Sequence, residues 1–418
     1  ADYALDNLAQ VADHLPCLEW VWILESGSPK SLPPLPGQRL LSDIFSGAVP
    51  DIDLRANDPE APMQMLYTSG TTGDPKAIVA PHIRFGRSAA LGPLFGFETG
   101  DRPYTGLSLT HANAQMITLG MSLLMGLRAV ISRRFTKSRL WDITRRYGCS
   151  SFNLLGGMTN AIYSNPVRPD DGDNPVRFVL SAGMPADIWD SFRQRFNVEI
   201  FEFYGAAEGG ITINPPNTGP KGSIGKPLPS LEARIVDEYD RECPAGKSGE
   251  IVFRALEGPP ISVRYYKNPE ASAKKTAGGW LRMGDIGYVD DEGWLYFLYR
   301  MGGGIRRNGE FIDPAPVEKV LAEHPIVKDV FVYGVPARSG TVGEKDLVAA
   351  LVIDRDHRFD RSELLDYCRQ RLQNNCIPSY LQVVEQIPKT ASEKPQERFL
   401  LEQFETNSNN VTCLFNEA

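Results

Sequence analysis

Five successive segments between residues 128 and 203 alternate between two hydrophobic periods, and this rhythm limits the fold more than any other feature of the chain. "RAVISRRF" (128–135), "SSFNLL" (150–155) and "VEIFEF" (198–203) are short runs rich in β-branched and aromatic residues, the composition of strands. "SRLWDITRRYG" (138–148) and "PADIWDSFRQRF" (185–196) lie between them and read as helices. Strand, helix, strand, helix, strand is the pattern of a parallel or mixed α/β sheet.

At 418 residues the chain exceeds what one core usually holds, so more than one domain is expected. Its first 60 residues combine an amphipathic helix pattern, the strand-like "EWVWIL" (19–24) and a Pro-rich connection, "GSPKSLPPLPGQ" (27–38). From residue 222 to 299 short strands and turns such as "DDEGW" (290–294) predict a small β-rich subdomain. After Arg300, "PAPVEKVLAEH" reads as helix, "VKDVFVYGV" and "DLVAALVI" as strands and "RSELLDYCRQRL" as helix, a compact α+β tail of about 110 residues. The expected architecture is therefore α/β. A large N-terminal domain with mixed sheets (1–299) precedes a hinge (300–304) and a small mobile α+β C-terminal domain (305–418). Gly302, Gly303 and Gly304 suit a hinge because glycine is permissive in φ and ψ, and composition alone leaves a plain loop equally open.

Ahead of the alternating region lies "YTSGTTGDPK" (67–76), between the strand-like "MQML" and "AIVAPH". Its glycines let backbone N–H groups approach a ligand, and its hydroxyls and Lys76 add donors and a positive charge, a set suited to polyphosphate. The spacing Gly70, Gly73, Lys76, with Ala77 next, is not the Gly-x4-Gly-Lys-Ser/Thr loop of the common NTPases. The net charge of -8 argues against a nucleic-acid binder, so anions must be held by local cations and backbone donors. Six cysteines without CxxC spacing and five histidines suggest neither a zinc site nor a disulfide framework, which fits a reducing cytoplasm. No run of 18 apolar residues and no signal-peptide pattern is found, so a soluble, cytoplasmic chain without a membrane partner is expected.

Further segments line up with that loop: "SLTHANAQ" (108–115), "SAGMP" (181–185), "YGAAEGG" (204–210), "WLRMGDIGYVDDEGWLYF" (280–297), "GEFIDPAPVE" (309–318) and "PKTASEK" (388–394). In this order and rough spacing, from about residue 62 to about 399, the chain resembles the adenylate-forming superfamily of acyl-CoA synthetases, peptide-synthetase adenylation domains and firefly luciferase. "RFTKSRLWDITRRYG" through "LLGGM" looks like the branch of crotonobetaine/carnitine-CoA ligases. The resemblance implies that ATP activates a carboxylic acid to an acyl-adenylate with loss of pyrophosphate, and that coenzyme A then takes the acyl group. Such chemistry brings anions together, so charge neutralisation is the main catalytic task.

By that resemblance Thr68, Ser69, Gly70, Thr71, Thr72 and Lys76 cradle the β- and γ-phosphates, and Glu208 holds Mg²⁺. Tyr204 offers a face to adenine with the Ala182 and Gly183 backbone opposite, Asp285 accepts the ribose hydroxyls, and Arg300 reaches the sugar or phosphate. Lys394 bridges the carboxylate and the α-phosphate in the first half-reaction. Rotation about the hinge then removes it and presents the "IRRNGE" face, with Arg306, to coenzyme A. His111, Gly156, Gly157, Gly209 and Gly210 fall in segments that line the acid site, and the glycines suggest room for a bulky, largely apolar acid.

The sequence departs from the family pattern at Ala207, where a threonine is common, at Glu393 beside Lys394, at Met283, and at Gly302 in the hinge. Family members also carry roughly a hundred more residues ahead of the phosphate loop, so the N-terminal part of the large domain is expected to be missing from this chain. Three readings stay open at this level: an acid:CoA ligase, an adenylation enzyme that loads a carrier protein, and a non-catalytic nucleotide- or acyl-binding relative. The identity of the acid and a homo-oligomeric state are likewise open.

Overall fold

The computed structural model of the protein describes residues 5–25, 33–45, 58–68, 76–155, 157–301, 305–307, 310–312, 314–339, 344–354, 360–389, 395–406 and 410–414. The chain divides into two compact units, Ala1–Asn57 and Asp58–Ala418. In the first, helix Leu5–Val11 accompanies the parallel strands β1 (Val21–Ile23) and β2 (Gln38–Leu40). Alternation places Val21 and Ile23 in a small core with Leu5 and Leu35 and leaves Trp22 outside.

The second unit begins with an antiparallel hairpin of β3 (Pro62–Thr68) and β4 (Lys76–Pro81), in which Thr68 pairs with Lys76. This is the expected strand–loop–strand, and the loop itself, 69–75, lies outside the described residues. The alternating region builds a seven-stranded mixed sheet in the order β11-β10-β9-β8-β7-β5-β6. Its strands are β5 (Pro103–Thr105), β6 (Val130–Ile131), β7 (Ser151–Leu155), β8 (Phe178–Ala182), β9 (Glu199–Ala206), β10 (Gly209–Asn214) and β11 (Lys226–Pro227). Pairing from β6 through β9 is parallel, and β10 and β11 are antiparallel additions. Helices Leu140–Tyr147 and Trp189–Phe196 cover the sheet, where Trp141 stacks on Phe196 at 4.6 Å and meets Phe152 edge-on at 5.5 Å. Gly148 ends the first helix at φ +61°, a left-handed cap that suits glycine. The run 128–135 contributes only two residues of strand. It sits at the edge of the sheet, where a short strand limits unwanted pairing.

The β-rich stretch is a four-stranded antiparallel sheet of β12 (Leu231–Val236), β13 (Gly249–Ala255), β14 (Leu281–Val289) and β15 (Leu295–Arg300). After Arg300 come the short pair β16 (Ile305–Arg307) and β17 (Glu310–Ile312), then helix Pro314–Ala322. A second four-stranded sheet follows, β18 (Val327–Pro336), β19 (Lys345–Ile353), β20 (Tyr380–Val383) and β21 (Val411–Cys413), with a core of its own around Val317, Leu321, Leu347, Leu351 and Leu364. These are the expected α+β elements. The glycines 302–304 lie outside the described residues. Among the described residues no helix is long and apolar enough to cross a membrane.

Candidate active site

The site forms where the seven-stranded sheet meets the sheet of β12–β15. β9 carries Tyr204 to this junction, and β14 and β15 bring Asp285 and Arg300 opposite each other in register. The Tyr204 hydroxyl donates to Asp285 Oδ2 at 2.5 Å, and Arg300 Nε donates to Oδ1 at 2.8 Å. Asp285 is only 2% exposed, and a carboxylate so deeply placed needs such donors. Burial, followed by the Asp285 charge, pushes the Tyr204 phenol far above its usual range, so it is a donor at neutral pH. Its ring lies 6.4 Å from Phe253 and 6.4 Å from Phe297, centroid to centroid.

Around the turn after β9, Glu208 Oε1 accepts from the Tyr265 hydroxyl at 2.7 Å, and burial raises that phenol as well. Oε2 accepts no hydrogen bond among the described residues. A hard anionic oxygen in a cleft fits Mg²⁺, which takes one or two carboxylates and completes its shell with phosphate oxygens and water. Lys76 Nζ stands 5.7 Å from the Tyr265 ring centroid. Arg84, on the helix after β4, lines the same cleft, and burial lowers its pKa while Glu208 opposes that shift.

Of the residues predicted from sequence, Lys76, His111, Ala182, Gly183, Tyr204, Glu208, Gly209, Asp285 and Arg300 line one cleft. His111 Nδ1 accepts from the Asn113 N–H at 3.2 Å, where the π-helical turns Asn113–Gly120 begin. Gly210 faces elsewhere. At φ +69° its missing Cβ would lie 2.7 Å from the Phe253 ring and 2.9 Å from Met283 Sδ, so this glycine answers to sheet packing and its side-chain space is core, not cleft. Thr68 takes part in the hairpin through its backbone, Gly157 opens helix Gly157–Tyr163, and Arg306 pairs with Phe311 in β16. Ser69, Gly70, Thr71, Thr72, Gly156 and Lys394 lie outside the described residues. Of the residues flanking Lys394, Lys389 and Pro395 form a bridge, the Gln396 N–H donates to Pro388 O at 2.8 Å, and Lys389, Pro395 and Gln396 line the same cleft.

Several residues escaped sequence reasoning. Glu202, 2% exposed on β9, accepts the Gly183 N–H at 2.5 Å and the Met184 N–H at 3.2 Å, fixing the backbone that follows β8. Burial pushes its carboxyl up to about 8, against the two N–H bonds that favour its charge. Glu250 accepts from Arg282 Nε at 2.9 Å and from the Gly284 N–H at 3.0 Å, and so holds β14 at the positive-φ glycine just before Asp285, where the β13–β14 register shifts. A glutamate inside a strand-like run, as in "VEIFEF", was the one available signal for Glu202, because buried carboxylates are rare without a partner.

The AMP-binding enzyme family matches residues 3–266, and the AMP-binding enzyme C-terminal domain matches residues 316–394. The chain is 33% identical over 354 residues to a medium/long-chain-fatty-acid–CoA ligase, FadD17, of Mycobacterium tuberculosis, covering 84% of this chain and 69% of that protein. It is 28% identical over 338 residues to a crotonobetaine/carnitine–CoA ligase of Salmonella typhi, covering 79% of this chain and 65% of that one. Among solved structures, the o-succinylbenzoate coenzyme A synthetase MenE from Bacillus subtilis, in complex with ATP and magnesium ion, superposes with a TM-score of 0.75 at 27% identity. That match covers 96% of this chain and 83% of MenE.

Proposed function

We propose, from the premise that this chain belongs to the AMP-binding enzyme family, that it is an ATP-dependent acid:CoA ligase. In the first half-reaction a carboxylate oxygen of the acid attacks the α-phosphorus, the α–β phosphoanhydride bond breaks, and pyrophosphate leaves. In the second the thiol of coenzyme A gives up its proton and attacks the acyl carbon, and AMP leaves. The observation that carries this reading is the Tyr204–Asp285–Arg300 cluster, a buried acceptor with oriented donors, lying in one cleft with Glu208, Lys76 and the loop backbone at Ala182–Gly183.

In this reading Asp285 takes the ribose hydroxyls, Tyr204 and the Ala182–Gly183 backbone flank the adenine, and Lys76 meets the outer phosphates with the loop 68–72. Glu208 would hold Mg²⁺, which when bound neutralises phosphate charge and favours departure of pyrophosphate. Lys394 brings a cation to the reacting carboxylate and α-phosphate. Residues 305–418 turn about 300–304 between half-reactions, carrying Lys394 away and Arg306 towards coenzyme A. His111 and Gly209 belong to the acid side of the cleft, helix Gly157–Tyr163 contributes to it through Met158, Asn160 and Ala161, and the acid is bulky and largely apolar.

Pyrophosphate release from ATP with a panel of carboxylic acids, followed by loss of free coenzyme A thiol, tests the reading. Release with at least one acid and stoichiometric thioester formation are expected. Pyrophosphate release without thiol loss, together with acylation of a carrier protein, would move the acceptor from coenzyme A to a carrier. No release with any acid would overturn the enzyme reading.

A further inference from the structure

The cleft contains a cation that the preceding assignment does not use. Lys275 ends helix Pro269–Lys275 and lines the cleft on the side of β14. Its Nζ donates to Met283 O at 3.3 Å, two residues before Asp285. An ammonium has three donors, and this long bond employs one of them. Among the described residues no carboxylate forms an ion pair with it, although cations elsewhere on these strands are paired, Arg282 with Glu250 and Arg300 with Asp285. Burial lowers the lysine's pKa, while the charges of Glu208, Asp285 and Glu250 act to raise it. Leaving a half-buried ammonium under-used is costly unless an anion arrives to meet it.

We propose that Lys275 binds the α-phosphate of the nucleotide, in ATP and again in the acyl-adenylate. The inference rests on the reading above, in which Asp285 marks the ribose and Glu208 the metal and outer phosphates. The α-phosphate is the group joined covalently between those two. Lys275 donates to the carbonyl two residues before Asp285 and lines the same cleft as Asp285 and Glu208, so an anion bridging the two carboxylates enters the space this ammonium lines. The Ala206 and Ala207 side chains beside Glu208 carry only methyl groups and supply no donor to that phosphate. A partly desolvated ammonium also attracts an anion more strongly than an exposed one.

The test compares AMP with adenosine, which differ by this phosphate alone, in calorimetric titration of wild type, Lys275→Met and Lys275→Arg. Methionine retains the packing of the lysine stem and removes the charge. AMP affinity should fall about ten- to a hundredfold in Lys275→Met, the worth of a hydrogen bond to a charged group, and recover in part in Lys275→Arg. Adenosine affinity should not change. AMP binding by Lys275→Met at the wild-type level would overturn the inference while leaving the functional reading intact. Equal loss of AMP and adenosine would overturn it too, since that is the mark of a structural role. Absence of AMP binding by the wild type would overturn the functional reading, and this inference with it.

Discussion

Glu202 offers the sharpest test of how the loop after β8 is held, because its titration is linked to folding. The carboxyl is held up to about 8, against an ordinary value of 4.5. Between these two values the folded chain keeps a proton that the unfolded chain has released. The sign follows: the contribution to stability is full below about pH 4.5, declines as pH rises, and is gone once pH passes the folded value near 8. One pH unit is worth about 1.4 kcal/mol, so the whole window has a ceiling of about 5 kcal/mol. Glu202→Gln removes the titration, and its amide sets an N–H group against a backbone N–H, a cost that does not vary with pH. Urea unfolding can be followed by the fluorescence of Trp141 and Trp189, both buried in the core beside this sheet. From pH 5.5 to 7.5 the wild type should lose about 2 to 3 kcal/mol relative to the glutamine variant. Parallel pH profiles for the two proteins would refute the reasoning.

Two further outcomes are expected. Lys394→Ala should abolish pyrophosphate release yet largely spare thioester formation from a supplied acyl-adenylate, measured as separate half-reactions, because under the proposed function its charge serves only the first step. Gly210→Ala should lower stability by about 2 to 4 kcal/mol, since the new Cβ meets Phe253 and Met283 at a left-handed φ. Thermal denaturation checks it, and a midpoint within a degree of wild type would contradict the packing account.

Local pattern made most of the fold legible. The strands at 151–155 and 199–206 and the helices at 140–147 and 189–196 fall where period and composition put them, since each packs its apolar side into one core. The run 128–135 misled because strand composition does not reveal position, and at the edge of the sheet only Val130 and Ile131 pair. Tyr204, Glu208 and Asp285, which line one cleft, could be picked out in the sequence because they stand in recognisable motifs. Glu202, Glu250, Arg84 and Lys275 could not, because their contacts arise from which elements become neighbours. Glu202 means nothing until β8 and β9 lie side by side, and Lys275 reads as a helix-end cation until β14 brings Met283 under it.

That dependence on neighbouring strands also explains how Asp285 can be deeply buried and still take the ribose that the proposed function assigns to it. A carboxylate offers about four lone-pair positions, and Tyr204 and Arg300 Nε fill one on each oxygen, with a longer Arg300 contact at 3.5 Å. One position therefore remains on Oδ1, and giving up the long Arg300 contact frees a second on Oδ2, so a ribose can add to the network at the cost of that contact alone. The donors come from different sheets, Tyr204 from β9 and Arg300 from β15, while Glu250 on β13 holds the Gly284 N–H on the strand just before Asp285. The acceptor is thus oriented by the junction itself before any ligand arrives, so binding need not bear the cost of arranging it. The Arg300 side chain, 44% exposed, is the most solvent-open of the three, and under the proposed function it is the donor that turns towards an incoming phosphate.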